Sequence, residues 1–546
     1  MVGFISKTGN DVVFPRDKDG NEMYQIYLYM MESGETKQLT KNAYRTGGIN
    51  WHPNGKEITR TIVTQEGFAL ETINVESGEC FLLREQTPLL LDVHYSHNGK
   101  WIASTAKISA NNSQIFIINR KNPDDNIIYN IKDDSREEFP TWSLDNKKLA
   151  YRSEAPGRGR IFIQNFQGEE RFMLELDRDE EASSRSDVLC LSTPAWDPQG
   201  DFVYYVVGKH SRYTLHAHPL DGEKEPAFPF PEGSVASPRI SKDGRLIIAK
   251  HSSLISPPGI YLYKIGSEAV VPLTPREFDV DLSLLKKPES IWYRSFDDRN
   301  IHSWYIPGVT FELPHPGVLF AHGGPSFQIN DCWGLYGIIL NMLSQSGFAT
   351  FAPNFRGSTG YGSEFQDLNI GDIGGNDLED VISGANWMCE KSEIDGDKIA
   401  IMGPSYGGFM TLIALTKKPD TFTTGVSMVP VTDWVEMYKL SDPAFQQFSK
   451  DLFEGTPEEK KELYLDRSPI THISNIKAPV MIIAGKEDSR CPIKPIEKFI
   501  EKLKEKNHPY KFISEEKSGH LSSRLNRGES IPLFTKIVDY LKKNLA

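Results

Sequence analysis

The stretch Ile401-Met402-Gly403-Pro404-Ser405-Tyr406-Gly407-Gly408-Phe409-Met410 decides the fold, because it carries G-x-S-x-G between a strand and a helix. Residues 398 to 402 alternate around Ile399 and Ile401 as a strand does, and residues 409 to 416 read as a helix. A serine on a strand-to-helix turn this sharp needs neighbours without bulk, which Gly403 and Gly407 supply. The serine is thereby pushed out of the sheet. A bare G-x-S-x-G arises by chance in many chains, so its partners have to be found before the motif carries weight.

The surrounding half of the chain alternates strands with helices. Strands are expected at residues 290–295, 302–306, 317–321, 349–352, 398–402, 424–428, 480–484 and 510–514. Helical stretches are expected near 334–346, 376–391, 409–417, 457–463, 493–506 and 529–544. Such alternation gives a mostly parallel sheet covered on both faces, and Gly317-Val318-Leu319-Phe320-Ala321 and Pro479-Val480-Met481-Ile482-Ile483-Ala484 are continuous apolar runs of the kind buried parallel strands require. Active residues then gather at the carboxyl ends of the strands.

A serine hydroxyl needs a base, and the base needs an orienting acid. In this fold they follow the serine in the order acid, then histidine. Of the three later histidines, His472 precedes the strand at 480, and His508 lies on the entry side of the last strand, the wrong end of the sheet. His520 follows that strand and precedes the final helix, so it is read as the base. Asp488 stands just past residues 480–484 and is preferred as the acid, with Asp433 as rival and adjacent Glu487 as substitute; each taken singly reads as a surface carboxylate. The oxyanion calls for two backbone N–H donors, one from Tyr406 and one from a glycine-rich loop. His322-Gly323-Gly324-Pro325 follows Phe320-Ala321 directly. His322 is expected to position that loop rather than to react.

From the N-terminus to about residue 285 the pattern is different. An aromatic or polar lead-in, a tight turn and an apolar strand recur six times, as in Trp51-His52-Pro53-Asn54-Gly55-Lys56 before Ile58 and Trp142-Ser143-Leu144-Asp145-Asn146-Lys147 before Leu149. The turn markers Gly9, Gly55, Gly99, Asn146, Gly200 and Gly244 are spaced 46, 44, 47, 54 and 44 residues apart. That period suits four short strands per unit, hence a β-propeller, whose radial closure protects strand edges; a stacked solenoid has shorter repeats. The long interval holds Asp177-Arg178-Asp179-Glu180-Glu181-Ala182-Ser183-Ser184. It reads as a solvated loop, or more sharply as a clamp for a peptide amino terminus through Glu180 and Glu181, resembling the acidic pair of dipeptidyl peptidases.

Composition narrows the function further. A net charge of −13 with no basic cluster among aromatics argues against a nucleic-acid partner. The five cysteines (Cys80, Cys190, Cys332, Cys389 and Cys491) include no C-x-x-C pair, so neither a metal nor any other cofactor is expected. No export signal or membrane-length apolar run is seen, so the expected setting is the cytoplasm, with no membrane partner.

Taken together, the repeats, His322-Gly323-Gly324-Pro325, Asn354-Phe355-Arg356-Gly357-Ser358-Thr359-Gly360-Tyr361-Gly362, Gly403-Pro404-Ser405-Tyr406-Gly407-Gly408, Asp488-Ser489-Arg490-Cys491-Pro492 and Gly519-His520 resemble the prolyl oligopeptidase family, above all its acylaminoacyl peptidase branch. The resemblance implies a β-propeller gating domain over residues 1–284 and an α/β-hydrolase catalytic domain over 285–546. It further implies Ser405 as nucleophile, Asp488 as orienting acid, His520 as base, and Gly324 and Tyr406 as oxyanion donors. Two departures stand out: six repeats are visible where the branch carries about seven blades, and Cys491 stands where the family has valine. The expected activity is hydrolysis of short peptides or acylated amino acids through an acyl-enzyme. A carboxylesterase or small-molecule amidase on the same triad is the alternative, and a propeller binding protein with an inactive hydrolase half is the reading of another class. Trp434, Met437 and Tyr438 are candidates for the specificity pocket, although such residues are more often core. Oligomeric state, including a homo-oligomer, is left open.

Overall fold

The computed structural model of the chain describes residues 3–6, 9–184, 193–222, 228–274, 281–309, 313–520 and 527–546. Among these, the N-terminal half forms six antiparallel sheet units spanning residues 4–38, 45–87, 89–129, 137–173, 181–219 and 234–272. The last two join through one parallel bridge, Tyr213 to Ser234. Every turn marker found in the sequence falls in the hairpin between an outer strand and the next strand of its unit; in the units at 89–129 and 181–219 that outer strand is broken into two short pieces. The aromatic lead-in has a physical reason. The indole N–H groups of Trp51, Trp142 and Trp196 donate to the carbonyls of Phe4, His94 and Thr141 at 2.7, 3.1 and 3.2 Å, each on an outer strand of the preceding unit. A buried indole needs an acceptor, and here it supplies a stitch between neighbouring blades.

The C-terminal half is built on one eight-stranded sheet, β1 (Glu289–Arg294), β2 (Asn300–Ile306), β3 (His315–Phe320), β4 (Ala349–Asn354), β5 (Ile394–Pro404), β6 (Thr424–Met428), β7 (Val480–Gly485) and β8 (Tyr510–Glu515). Its order is β1-β2-β4-β3-β5-β6-β7-β8, with β2 antiparallel to both its neighbours and every other pair parallel. Helices α1 (Leu335–Gln345), α2 (Asn376–Cys389), α3 (Tyr406–Lys417), α4 (Trp434–Leu440), α5 (Pro443–Phe453), α6 (Ile493–Glu505) and α7 (Arg527–Asn544) pack on both faces. Two apolar cores result, one on each side of the sheet, around Phe351, Ile401 and Phe409 and around Phe320, Met402 and Ile483.

The predicted strands are present with ends shifted by a few residues. Helices α4 and α5 were not foreseen. Asp433 caps α4 by accepting from the amides of Val435 and Glu436, and Asp442 caps α5 by accepting from Phe445. Trp434 and Met437 on α4 pack in the core, 1% and 3% exposed, and Tyr438 is half-buried.

Candidate active site

The turn from β5 into α3 holds Ser405 at φ 58° and ψ −118°, a conformation that costs a non-glycine residue free energy and persists only where its surroundings impose it. Those surroundings are visible. The Ser405 amide donates to Met428 O on β6 at 2.8 Å, and a Cβ at Gly403 or Gly407 would run into the carbonyl of Ala321. From Ile399 to Thr416 every residue is buried except Ser405, which stands half-exposed.

The parallel register sets Pro404, Met428, Ile483 and Ile513 in one row across β5 to β8. Ser405, Asp488 and His520 all follow that row, so the three lie beyond the carboxyl ends of their strands on one rim. The loops after β7 and β8 are zipped together by main-chain bonds, Lys486 N to Glu515 O at 3.0 Å and Glu487 N to Ser518 O at 3.1 Å. This brings Asp488 and His520 into contact: Nδ1 of His520 lies 3.0 and 2.8 Å from Oδ1 and Oδ2 of Asp488. Asp488 Oδ1 also accepts from the amides of Arg490 and Cys491, both at 2.9 Å. Both side chains are almost fully buried, which strengthens a charge-assisted bond of this kind. With Nδ1 donating to the carboxylate, the neutral ring carries its acceptor lone pair on Nε2. Glu487 is exposed, and Asp433 is occupied as a helix cap. His472 and His508 bond to the carbonyls of Asp466 and Ala478, away from this rim.

The glycine loop after β3 comes alongside. A Cβ on Gly323 would lie 3.5 Å from Cβ of Ser405. The amide of Gly323 is already given to the Tyr336 hydroxyl at 3.1 Å. Among the described residues, the amides of Gly324 and Tyr406 are drawn into no hydrogen bond. His322 supports the loop as expected: it is buried, stacks on Phe355 at 4.3 Å, and meets Gly323 O and Ser358 Oγ at 2.7 and 2.9 Å. Burial lowers its pKa to about 4, so it stays neutral.

Three supports escaped the sequence reading. Beneath the elbow, the Tyr406 hydroxyl donates to the fully buried carboxyl of Asp377 on α2, whose pKa is raised to about 7 by burial. From the propeller, Glu22 binds the guanidinium groups of both Arg490 and Arg45, and Arg45 reaches Asp442 at 2.6 Å and Ser489 Oγ at 2.9 Å. Burial would raise the pKa of Glu22, but the hydrogen bonds and charges of Arg490 and then Arg45 carry it down to about 2. Finally, Cys491 joins Asp488 and His520 in a buried cluster whose ligating atoms lie within 4.8 Å of one another. Only the acid at Asp377 had a local signal, a Gly-Gly-Asn-Asp run opening a helix; the other two link segments distant in sequence.

A cavity of about 230 Å³ opens between the two halves, with Gly324 and Phe448 on one side and Lys107, Arg136, Glu138 and Glu154 of the propeller on the other. The acidic run at 177–184 is exposed through Asp179 and buried from Glu181, whose charge faces Arg152 and Arg160 inside the propeller.

Residues 335–546 match the profile described as "Prolyl oligopeptidase family". This stretch belongs to the prolyl oligopeptidase family. Over 95% of the chain and 86% of its relative, the protein is 24% identical to the uncharacterized peptidase YuxL of Bacillus subtilis. It is 30% identical to the acylamino-acid-releasing enzyme of Mus musculus, but over only 38% of this chain and 29% of that enzyme. Among solved structures, a puromycin-hydrolyzing peptidase of Mycobacterium tuberculosis superposes with a TM-score of 0.86 at 19% identity, covering 98% of this chain and 84% of that one. The fold shared with that structure therefore extends over nearly the whole chain, here a propeller followed by an α/β hydrolase. Among the described residues, no helix is long and apolar enough to cross a membrane.

Proposed function

We propose that this serine peptidase of the prolyl oligopeptidase type works through Ser405, His520 and Asp488. His520 Nε2 takes the proton of Ser405 as Oγ attacks the scissile carbonyl, and returns it to the leaving amine; water then releases the acyl group. Asp488 holds the imidazole in the tautomer that keeps Nε2 able to accept. Gly324 and Tyr406 donate their amides to the oxyanion. Losing one such donor removes about 3 to 4 kcal/mol of transition-state stabilisation. The observation that carries this reading is the pairing of His520 Nδ1 with a doubly supported Asp488 carboxylate on the rim where the strained Ser405 stands.

The substrates in this reading are short peptides or acylated amino acids. The cavity beside Gly324 is small and flanked by the propeller residues Lys107, Arg136, Glu138 and Glu154, which suits a short chain segment better than a folded protein. Residues 1–284 then act as the cover and 285–546 as the catalytic unit. The peptidase relatives favour this over an inactive binding protein. Labelling by a fluorophosphonate tests it: wild type is labelled at Ser405, and Ser405→Ala is not. Persistent labelling of Ser405→Ala overturns the assignment.

A further inference from the structure

The cluster at Asp488, Cys491 and His520 has a chemistry beyond the triad. A thiol, an imidazole and a carboxylate, all buried, offer ligating atoms within 4.8 Å of one another, and their anchoring is already fixed by the turn in which the Cys491 amide binds Asp488 Oδ1. Sulfur, nitrogen and oxygen donors in this combination are the set that zinc takes. Around a tetrahedral ion with bonds of about 2.0 to 2.3 Å, three such atoms lie roughly 3.4 to 3.6 Å apart. The triangle at Asp488, Cys491 and His520 needs side-chain adjustments of about an ångström to reach that geometry, within the range of small χ rotations. We infer that the chain carries an inhibitory site for one thiophilic divalent cation of the zinc type, built from Cys491 Sγ, the Asp488 carboxylate and His520 Nδ1.

Cys491 gives up its thiol proton to solvent on becoming a thiolate ligand. Nδ1 of His520 gives up its proton in exchange for the metal, and the neutral ring carries its single proton on Nε2 instead. One proton is released per ion bound. The consequence for turnover is direct: a ring protonated at Nε2 cannot accept the Ser405 proton, and the carboxylate that selected the working tautomer is now a metal ligand. An imidazole locked in the wrong tautomer loses about 10⁴-fold in turnover in comparable triads. Metal binding and catalysis thus compete for the same nitrogen.

The effect on turnover rests on the triad reading above; the binding itself does not. Two readouts separate them. The first is spectroscopic, with Co²⁺ alone as probe and the full chain: a thiolate-to-cobalt charge-transfer band is expected in wild type, displaced by Zn²⁺, and absent in Cys491→Val and Cys491→Ser. The second is inhibition, with each variant's rate referred to its own metal-free rate. Zn²⁺ suppresses wild-type turnover, EDTA restores it, and both Cys491 variants need roughly 100-fold more Zn²⁺ for half-inhibition. Cys491→Ser conserves volume, and matching melting temperatures guard against a folding artefact. No cobalt band in wild type, or equal Zn²⁺ sensitivity in the Cys491 variants, overturns the site. A Cys491-dependent band with undiminished turnover overturns instead the competition, and with it the role given to His520.

Discussion

Tyr406 has two parts in the proposed site: its amide is the proposed oxyanion donor, and its hydroxyl is held by Asp377 beneath the elbow. The Asp377 carboxyl is raised to about 7 from an ordinary 3.8 by burial, with Asp372 and Asp380 adding repulsion against the hydrogen bond from Tyr406. Between those two pH values the folded chain holds a proton that the unfolded chain has lost. Raising the pH through that window therefore erodes stability, and the loss is complete above about 7. Asp377→Asn stays neutral throughout and still accepts from Tyr406. Thermal melts are expected to show its melting temperature gaining on wild type as pH rises from 4 to 8; a gap independent of pH would sink this account.

The strand-to-helix elbow was legible because its requirements are local. Gly403 and Gly407 are spaced to pass the Ala321 carbonyl, a contact that any Cβ would invade. Since that carbonyl belongs to backbone and cannot move aside cheaply, Gly407→Ala is expected to shift the elbow and cut turnover by about 100-fold or more, while the melting temperature falls. Fluorophosphonate labelling rates on Gly407→Ala and wild type give the comparison. The β strands were equally readable from their apolar runs. Helices α4 and α5 were not, because each is short, of mixed polarity, and begins at an aspartate whose value as a cap depends on where the preceding strand stops. The same dependence made Asp433 look like a rival acid.

At the scale of the whole molecule, the repeats revealed the propeller because every unit must solve the same packing problem, whereas its contact with the hydrolase half involves pairs hundreds of residues apart. Glu22 meets Arg490 across 468 positions, and no periodicity foretells it. Its pKa, carried down to about 2 from 4.5, makes the link one that is fully present above pH 4.5 and lost as pH falls toward 2. That linkage is worth roughly 3 kcal/mol. Glu22→Gln should unfold more readily at neutral pH and show a shallower loss of stability on acidification. Denaturant titrations at pH 7 and pH 3 check this, and equal acid sensitivity in the two proteins would refute it.

Gly519, the residue before His520, abuts the Gly20 carbonyl so closely that it has no room for a side chain. The first blade is thus packed against the backbone that carries the imidazole. In the proposed reading, any separation of the two halves takes away that backing, so the alignment of the base depends on the propeller staying docked.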